Sequence, residues 1–211
     1  MTRHSTGLTD RTPPRPPAAA AAGPGPAGTA DFTHPDQARQ ALRRLASGVT
    51  VLTVNRDGLR HGTTASAVVA LSRDPLVLGV GLSPTSTFAT LVRRAGSFSV
   101  NVLSAAQSDT AHSFADPHRP LGDAQFASYE WITDPLSGAP LLEGCLSHMS
   151  CRVLGWHQVG DHDLLLAEVT GGAHRPDIPL LSFAGRVHTA ALTPAPVPQA
   201  TMPAPSHSEV S

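Results

Sequence analysis

The apolar residues of this chain come in short runs, and their spacing limits the folds open to it. Val49 to Val54, Leu76 to Leu82 and Phe98 to Leu103 are rich in β-branched or other apolar side chains. Runs of this length and composition are typical of strands. The turn residues Asn55 to Gly58 follow the first run, so the next segment is expected to return as a hairpin partner.

Further strands and a few helices complete the prediction. The additional strands are Leu146 to Trp156, Leu164 to Val169 and Leu180 to Phe183. The predicted helices run from Thr33-His34-Pro35 to a stop at Gly48, from Ser86 to Arg94, and from the capping box of Ser104 and Gln107 to about Phe114. Many short strands with few helices predict a mainly β (α+β) barrel with peripheral helices. No strand leads into a glycine-rich nucleotide fingerprint, which disfavours a Rossmann fold.

Both ends of the 211-residue chain differ in composition from its middle. Residues 1–30 are rich in Pro, Ala, Gly and Thr, and residues 191–211 show a similar bias. Such segments bury too little apolar surface to offset the entropy lost on ordering. We therefore expect one domain over residues 31–190, between two disordered tails.

Composition also excludes several classes of protein. A net charge of -1 gives no basic footprint for nucleic acid, and the absence of Lys excludes a Schiff-base lysine. With only 4% aromatic residues, the core is expected to consist of Val, Leu and Ala. The two cysteines, Cys145 and Cys151, fit neither a disulfide scaffold nor a zinc motif, which favours reduced thiols in a cytoplasmic protein. No signal peptide or membrane-spanning run is expected.

Two polar segments are candidates for binding an anion or a flavin. Thr63, Thr64, Ser66 and Ser72 lie within an otherwise apolar strand region, where they are either hydrogen-bond donors to a ligand or an ordinary polar strand face. The segment Ser83 to Thr87 follows a strand and begins a helix. It is either an anion site at a helix N-terminus or a simple cap and turn.

The remaining candidates are single residues in predicted turns. His162, in Gly160-Asp161-His162, is either a solvated histidine or a group that positions a nicotinamide. Arg186 is either a surface charge or a ligand contact. His112, Asp116 and His118 are interpreted as a polar loop, and no metal site is predicted.

These segments occur in an order and spacing that resemble a known family. The similar residues are Ala41 to Thr53, His61-Gly62-x-Thr64, Ser72-x-Asp74-Pro75, Gly96-x-Phe98-x-Val100-Asn101-Val102-Leu103, Pro140 to Leu142, Gly160 to His162 and Gly185-Arg186. The chain resembles the flavin reductase family of the FMN-binding split-barrel fold over nearly all of residues 38–188.

The resemblance implies an NAD(P)H:flavin oxidoreductase. Such an enzyme transfers hydride from C4 of NADH or NADPH to N5 of FMN or FAD and supplies the reduced flavin to a partner monooxygenase. It also implies a homodimer with the flavin near the subunit interface. Which flavin and which nicotinamide nucleotide are used stays open.

The resemblance further implies a set of site residues. Thr64 to Ala67 and Ser72 would line the flavin, and Ser83 to Thr87 would hold its phosphate. The segment Ser47 to Thr50, with His162 and Arg186, would lie near the nicotinamide dinucleotide. The expected cofactor-binding residues are Ser47, Gly48, Val49, Thr50, Thr63, Thr64, Ala65, Ser66, Ala67, Ser72, Ser83, Ser86, Thr87, Asn101 and Arg186, and His162 is the expected catalytic, positioning group.

Four positions depart from the family pattern. Ser66 and Ala67 stand where many relatives carry Asn and Ser, Phe88 stands where relatives often place Thr, and Val187 replaces a Tyr. One lost hydrogen bond to a phosphate costs about 1.5–3 kcal/mol, or roughly 10–100-fold in affinity. Flavin is therefore expected to bind loosely, as a diffusing substrate. The alternatives are an enzyme that retains flavin and acts on a small organic substrate, and a degenerate non-enzymatic flavin-binding module.

Overall fold

The computed structural model describes residues 34–189 and 192–195. Most of both predicted tails and the predicted helix cap Thr33 lie outside the described residues. The chain divides into two units, residues 1–38 and 39–211. In the first unit, the described part is the start of helix α1 (Pro35–Leu42), where the carbonyl of His34 accepts hydrogen bonds from the N–H groups of Gln37 and Ala38.

The second unit holds the strands and the other helices. The helices are α2 (Thr87–Ala95) and α3 (Ser108–Ala115), with 3-10 turns at Ala105–Gln107 and Gly122–Phe126. The first strands are β1 (Ser47–Gly48), β2 (Thr50–Arg56), β3 (Leu59–Ala65), β4 (Val68–Arg73), β5 (Leu76–Leu82) and β6 (Ser97–Val102). The later strands are β7 (Trp131–Thr133), β8 (Pro140–Leu142), β9 (Ser147–Val159), β10 (His162–His174), β11 (Leu180–Phe183) and β12 (Arg186–Thr189).

An antiparallel seven-stranded sheet organises these elements. Its strand order is β3-β2-β6-β9-β10-β5-β4, so strands far apart in sequence lie side by side. A three-stranded sheet, β1-β11-β12, and the pair β7-β8 accompany it. The predicted mainly β class is confirmed, because helices are few and short in the described part of the chain.

Alternate side chains of β2 enter two separate cores, as the two-residue period of a strand requires. Leu52 and Val54 pack with Phe88 and Phe98, whose rings meet edge to face with centroids 5.8 Å apart. Val51 packs into the second core with α3 and the turn at Gly122–Phe126. The expectation of a core made of Val, Leu and Ala is confirmed for most buried positions, and a pair of phenylalanines completes each core.

Several local predictions shift at the ends of elements. The first helix ends at Leu42 rather than near Gly48, because Ser47 and Gly48 pair with β11 as a short strand. Leu45 lies beyond the end of this helix and is 73% exposed. The turn at Gly160 is shorter than predicted, since His162 is already the first residue of β10.

Candidate active site

A short turn between β3 and β4 is the centre of the candidate site. The turn consists of Ser66 and Ala67, both exposed, and it lies against the end of β5, where the N–H of Gly81 donates to the carbonyl of Ala67 at 2.9 Å. A Cβ placed on Gly81 would be 3.2 Å from the Cβ of Ala67. Glycine at this position therefore keeps the space beside the turn open.

Two cavities border this turn and a third adjoins them, and together they form what we call the cleft. The first, the serine cavity, has about 300 Å³ and is lined by Thr63, Thr64, Ala65, Ser66, Ala67, Gly81, Leu82, Ser83 and Ser86. The second, the long cavity, has about 700 Å³ and shares Ser66, Ala67 and Gly81 with the first. Its other lining residues include Arg43, Ser47, Val68, Ser182 and Gly185. The third, the apolar cavity, has about 400 Å³ and meets the long cavity at Val68.

The serine cavity ends at the N-terminus of α2, which supplies donors suited to an anion. The hydroxyl of Ser86 caps the helix by accepting from the N–H of Ala89 at 3.1 Å. Within the described residues, the N–H groups of Thr87 and Phe88 have no protein acceptor. Unpaired N–H groups at the positive end of a helix attract phosphate. Phe88 stands where relatives often place Thr, but its side chain is buried in the core. This departure therefore leaves the backbone N–H groups of Thr87 and Phe88 in place as donors.

The predicted hydroxyl residues divide into two groups. Thr64 Oγ1 donates to the carbonyl of Ala111 at 2.7 Å, and Thr50 Oγ1 donates to the carbonyl of Ala65 at 2.8 Å. Both hydroxyls therefore hold the walls of the cleft together. The other group lines the cleft and makes no side-chain hydrogen bond within the described part of the chain; it comprises Ser47, Thr63, Ser66 and Ser72.

The apolar cavity offers a surface for a flat aromatic ring. Its lining combines Gly48, Thr50 and Ser72 with apolar side chains from five strands: Val68, Ala70, Leu76, Val77, Leu78, Val102, Met149 and Val169. A mostly apolar wall with a few polar groups is the usual composition of a ligand pocket. The sequence gives no signal for Val102, Met149 and Val169 as part of the site, because only the folded sheet brings β6, β9 and β10 to the same cavity as β5.

Two of the expected cofactor contacts are buried outside the cleft. Asn101 is fully buried, with Nδ2 donating to the carbonyl of Val51 at 3.0 Å and Oδ1 accepting from the N–H of Leu142 at 2.8 Å. Val49 packs in the second core, and its backbone pairs with Leu103 and Leu180. We assign Asn101 and Val49 a structural role, because the amide of Asn101 and the backbone of Val49 already form hydrogen bonds within the protein.

The structure does not bring His162 into the cleft. Its ring is exposed, and its Nδ1 lies 2.9 Å from a carboxylate oxygen of Asp161. This hydrogen bond is the main cause that lowers the pKa of Asp161. Arg186 is also exposed and lies just after the turn Ala184-Gly185, whose two residues line the long cavity. Thr87 is exposed at the start of α2.

A fourth cavity, of about 340 Å³, contains none of the expected site residues. Cys145 and His148 are among its lining residues. Burial raises the pKa of the Cys145 thiol to about 11 and that of Cys151 to about 12, and both cysteines are free. In the described ranges, no group of His, Cys, Asp and Glu side chains is arranged to hold a metal ion, and no helix is long and apolar enough to cross a membrane.

Comparison with known proteins identifies the family. The family model described as "Flavin reductase like domain" matches residues 42–191. The chain belongs to this family. Its membership confirms the resemblance drawn from the ordered motifs, and the matched range contains every lining residue of the three cavities named above.

Individual relatives agree with this assignment. An NADPH-flavin oxidoreductase of Streptomyces viridifaciens is 40% identical over 160 residues, which cover 75% of this chain and 82% of the relative. The reductase subunit HsaB of a flavin-dependent monooxygenase from Rhodococcus jostii is 32% identical over 160 residues, or 74% of this chain and 78% of the relative. The solved structure of the NADH:FAD oxidoreductase SgcE6 of Streptomyces globisporus C-1027 superposes with a TM-score of 0.71 at 30% identity, covering 80% of this chain and 100% of that one. The predicted fold class is thereby confirmed.

Proposed function

We propose that this chain is an NAD(P)H:flavin oxidoreductase that reduces FMN or FAD and supplies the reduced flavin to a partner flavin-dependent monooxygenase. One observation carries the proposal. The cleft joins an anion-binding helix N-terminus to a wide apolar wall, with a turn bearing the unpaired hydroxyl of Ser66 between them. A flavin nucleotide has the matching parts: a phosphate, a flat aromatic ring and a polar ring edge.

Each part of the cleft has a distinct task in this function. When bound, the flavin supplies the redox chemistry by accepting a hydride from the reduced nicotinamide. The hydroxyls of Ser83 and Ser86 and the first N–H groups of α2 hold the phosphate. The hydroxyls of Thr63 and Ser66 donate to the polar edge of the ring. The apolar wall excludes water, and the long cavity admits the nicotinamide nucleotide next to the turn.

We further propose that flavin is a diffusing substrate of this protein rather than a permanent prosthetic group. At the turn, Ser66 and Ala67 are small and exposed, so they make fewer contacts with the ring than the longer side chains of many relatives. Weak retention suits an enzyme whose product must leave for an oxygenase. We assign the activity to a domain of residues 31–190 in a cytoplasmic protein, a location favoured by its two unpaired cysteines.

The experiment that tests this function follows oxidation of NADH and NADPH at 340 nm with FMN, FAD and riboflavin. Rapid oxidation that depends on added flavin supports the proposal. A yellow preparation that keeps its flavin through desalting would instead favour an enzyme acting on its own organic substrate. No oxidation with any flavin would contradict the proposed activity.

A further inference from the structure

Three arginines lie around the turn between β11 and β12, and one of them, Arg43, lines the long cavity together with this turn. The turn is the two-residue loop Ala184-Gly185, with φ of 53° and 77°. Positive φ at both central residues is the geometry of a tight hairpin, which gives the strands their natural twist. The turn therefore fixes Arg186 directly opposite Phe183 in the β11–β12 pair.

The other two arginines come from the segment after α1. The carbonyl of Arg43 accepts a hydrogen bond from the N–H of Ala184 at 2.9 Å, so this segment is tied to the turn. A Cβ on Gly185 would be 3.8 Å from Cζ of Arg43, so the guanidinium itself lies over the turn. Cζ of Arg44 lies 5.6 Å from the ring centroid of Phe183. We call Arg43, Arg44 and Arg186 the arginine rim.

The positive charge of the arginine rim is not neutralised by nearby carboxylates. All three side chains are exposed, and within the described residues none of them forms an ion pair. The sequence contains no Asp or Glu between Asp36 and Asp57, and none between Asp177 and Glu209. Arginine clusters of this kind, with several N–H donors and no carboxylate partner, are suited to binding phosphate.

We propose that the arginine rim binds the 2′-phosphate of NADPH and makes the enzyme prefer NADPH to NADH. This inference rests on the proposed function and adds the identity of the hydride donor. Arg43 and Gly185 line the long cavity, which also reaches Ser66 and Ala67 of the flavin turn. A nucleotide whose nicotinamide lies beside the Ser66-Ala67 turn extends its adenosine end along the long cavity towards the arginine rim.

Binding of the flavin phosphate does not explain the arginine rim. The donors assigned to that phosphate, at Ser83 and Ser86, line the serine cavity, which includes none of the three arginines. The long cavity, in turn, contains neither Ser83 nor Ser86. The two anion-binding ends therefore belong to different cavities that share the Ser66-Ala67 turn, which suits two phosphate-bearing substrates.

The first test compares kcat/KM for NADPH and NADH in the intact enzyme and in Arg43→Ala, Arg44→Ala and Arg186→Ala. The enzyme should prefer NADPH by at least about tenfold, since one hydrogen bond to a charged group changes affinity roughly 10–100-fold. Each substitution should lower kcat/KM for NADPH by about tenfold and that for NADH by less, so that the NADPH/NADH preference falls. Arg94→Ala removes an equally exposed arginine from the end of α2 and serves as the matched control. Arg43→Lys, which keeps the charge, should retain part of the preference.

The second test is independent of activity and measures binding of 2′,5′-ADP and 5′-AMP by calorimetry. Tighter binding of 2′,5′-ADP that weakens in the rim variants supports the proposal, even if no flavin is reduced. Equal binding of the two nucleotides, or a wild-type preference for NADH, would overturn it while leaving flavin reduction intact. A rise in the KM for FMN in the rim variants, with an unchanged NADPH/NADH ratio, would assign the arginines to the flavin instead.

Discussion

At the scale of single residues, His61 shows how burial fixes a protonation state. The side chain is 2% exposed, and its Nε2 lies 3.4 Å from a guanidinium nitrogen of Arg119. Because arginine can only donate, Nε2 must accept, which requires a neutral ring at that nitrogen. Burial, followed by the positive charge of Arg119, lowers the pKa of His61 from 6.5 to about 4.

This low pKa predicts a loss of stability in mild acid. In the unfolded chain the ring takes up a proton below about pH 6.5, whereas in the folded chain it stays neutral until about pH 4. The contribution of neutral His61 is therefore fully present above pH 6.5 and is lost as the pH falls towards 4, by on the order of 3 kcal/mol in total. Urea unfolding of the native protein and of His61→Gln, at several pH values, measures this contribution to the free energy of unfolding. The stability difference between the two should shrink as the pH falls; parallel pH profiles would assign the acid sensitivity to other groups.

His162 carries the other prediction at this scale. We expect it to position the nicotinamide, so His162→Ala should lower kcat/KM for the nucleotide by about 10–100-fold, equivalent to roughly 1.4–2.8 kcal/mol of transition-state contact. Affinity for flavin should stay within about threefold. His157→Ala is the matched control, because His157 is an exposed histidine on the neighbouring strand β9.

Steady-state kinetics with each substrate varied, together with a melting curve, separate the possible roles of His162. Unchanged kinetics for both substrates would make it a solvated surface residue, as its exposure in the single chain already allows. A lower melting temperature with unchanged kinetics would make it a structural group that holds the turn with Asp161.

At the scale of elements, the N-terminus of α2 combines a structural cap with a ligand contact, and two substitutions separate them. Ser86→Ala removes the hydroxyl that accepts from Ala89, so it should cost about 1 kcal/mol of stability as well as affinity for phosphate. Ser83→Ala leaves that cap intact. Both variants should raise the KM for FMN, by about tenfold or more. Riboflavin, which lacks the phosphate, is the control substrate. An equal loss with riboflavin would mean that the serines shape the cleft rather than bind the phosphate.

Strands and helices with strong local signals are predictable from the sequence. The prediction of Ser86 to Arg94 differs from α2 by one residue at each end, because an N-cap serine and a left-handed Gly96 mark its limits. The capping box of Ser104 and Gln107 is present, although it opens a 3-10 turn before α3. Elements that depend on distant partners are not predictable in this way. The strand β1 forms only because Ser47 and Gly48 find β11, and β9 and β10 each extend to 13 residues because their polar backbones pair with each other.

At the scale of the whole molecule, the candidate site was predictable where it is continuous in sequence. The hydroxyl-rich strand end, the Ser66-Ala67 turn and the Ser83–Ser86 segment come together in one cavity because β3, β4 and β5 follow each other directly. The role of Asn101 was not predictable in this way. The residue belongs to a family-like motif, but only the fold reveals that its amide joins β2 to β8 inside the core.

The exposed edge of the large sheet predicts that the protein is a homodimer. Strand β4 is an outer strand of the seven-stranded sheet, and Val69, Leu71 and Leu76 on β4 and β5 are each at least half exposed. Apolar groups along an open edge favour association, and symmetric pairing of two copies is the commonest way to cover them. Because Val69 and Leu76 also line the cleft, a second copy there would close it around the flavin.

Light scattering should therefore report about twice the chain mass of 21.9 kDa. Specific activity should also fall on dilution into the range where the dimer dissociates. A monomer that reduces flavin at full rate would show that the cleft of one chain is sufficient.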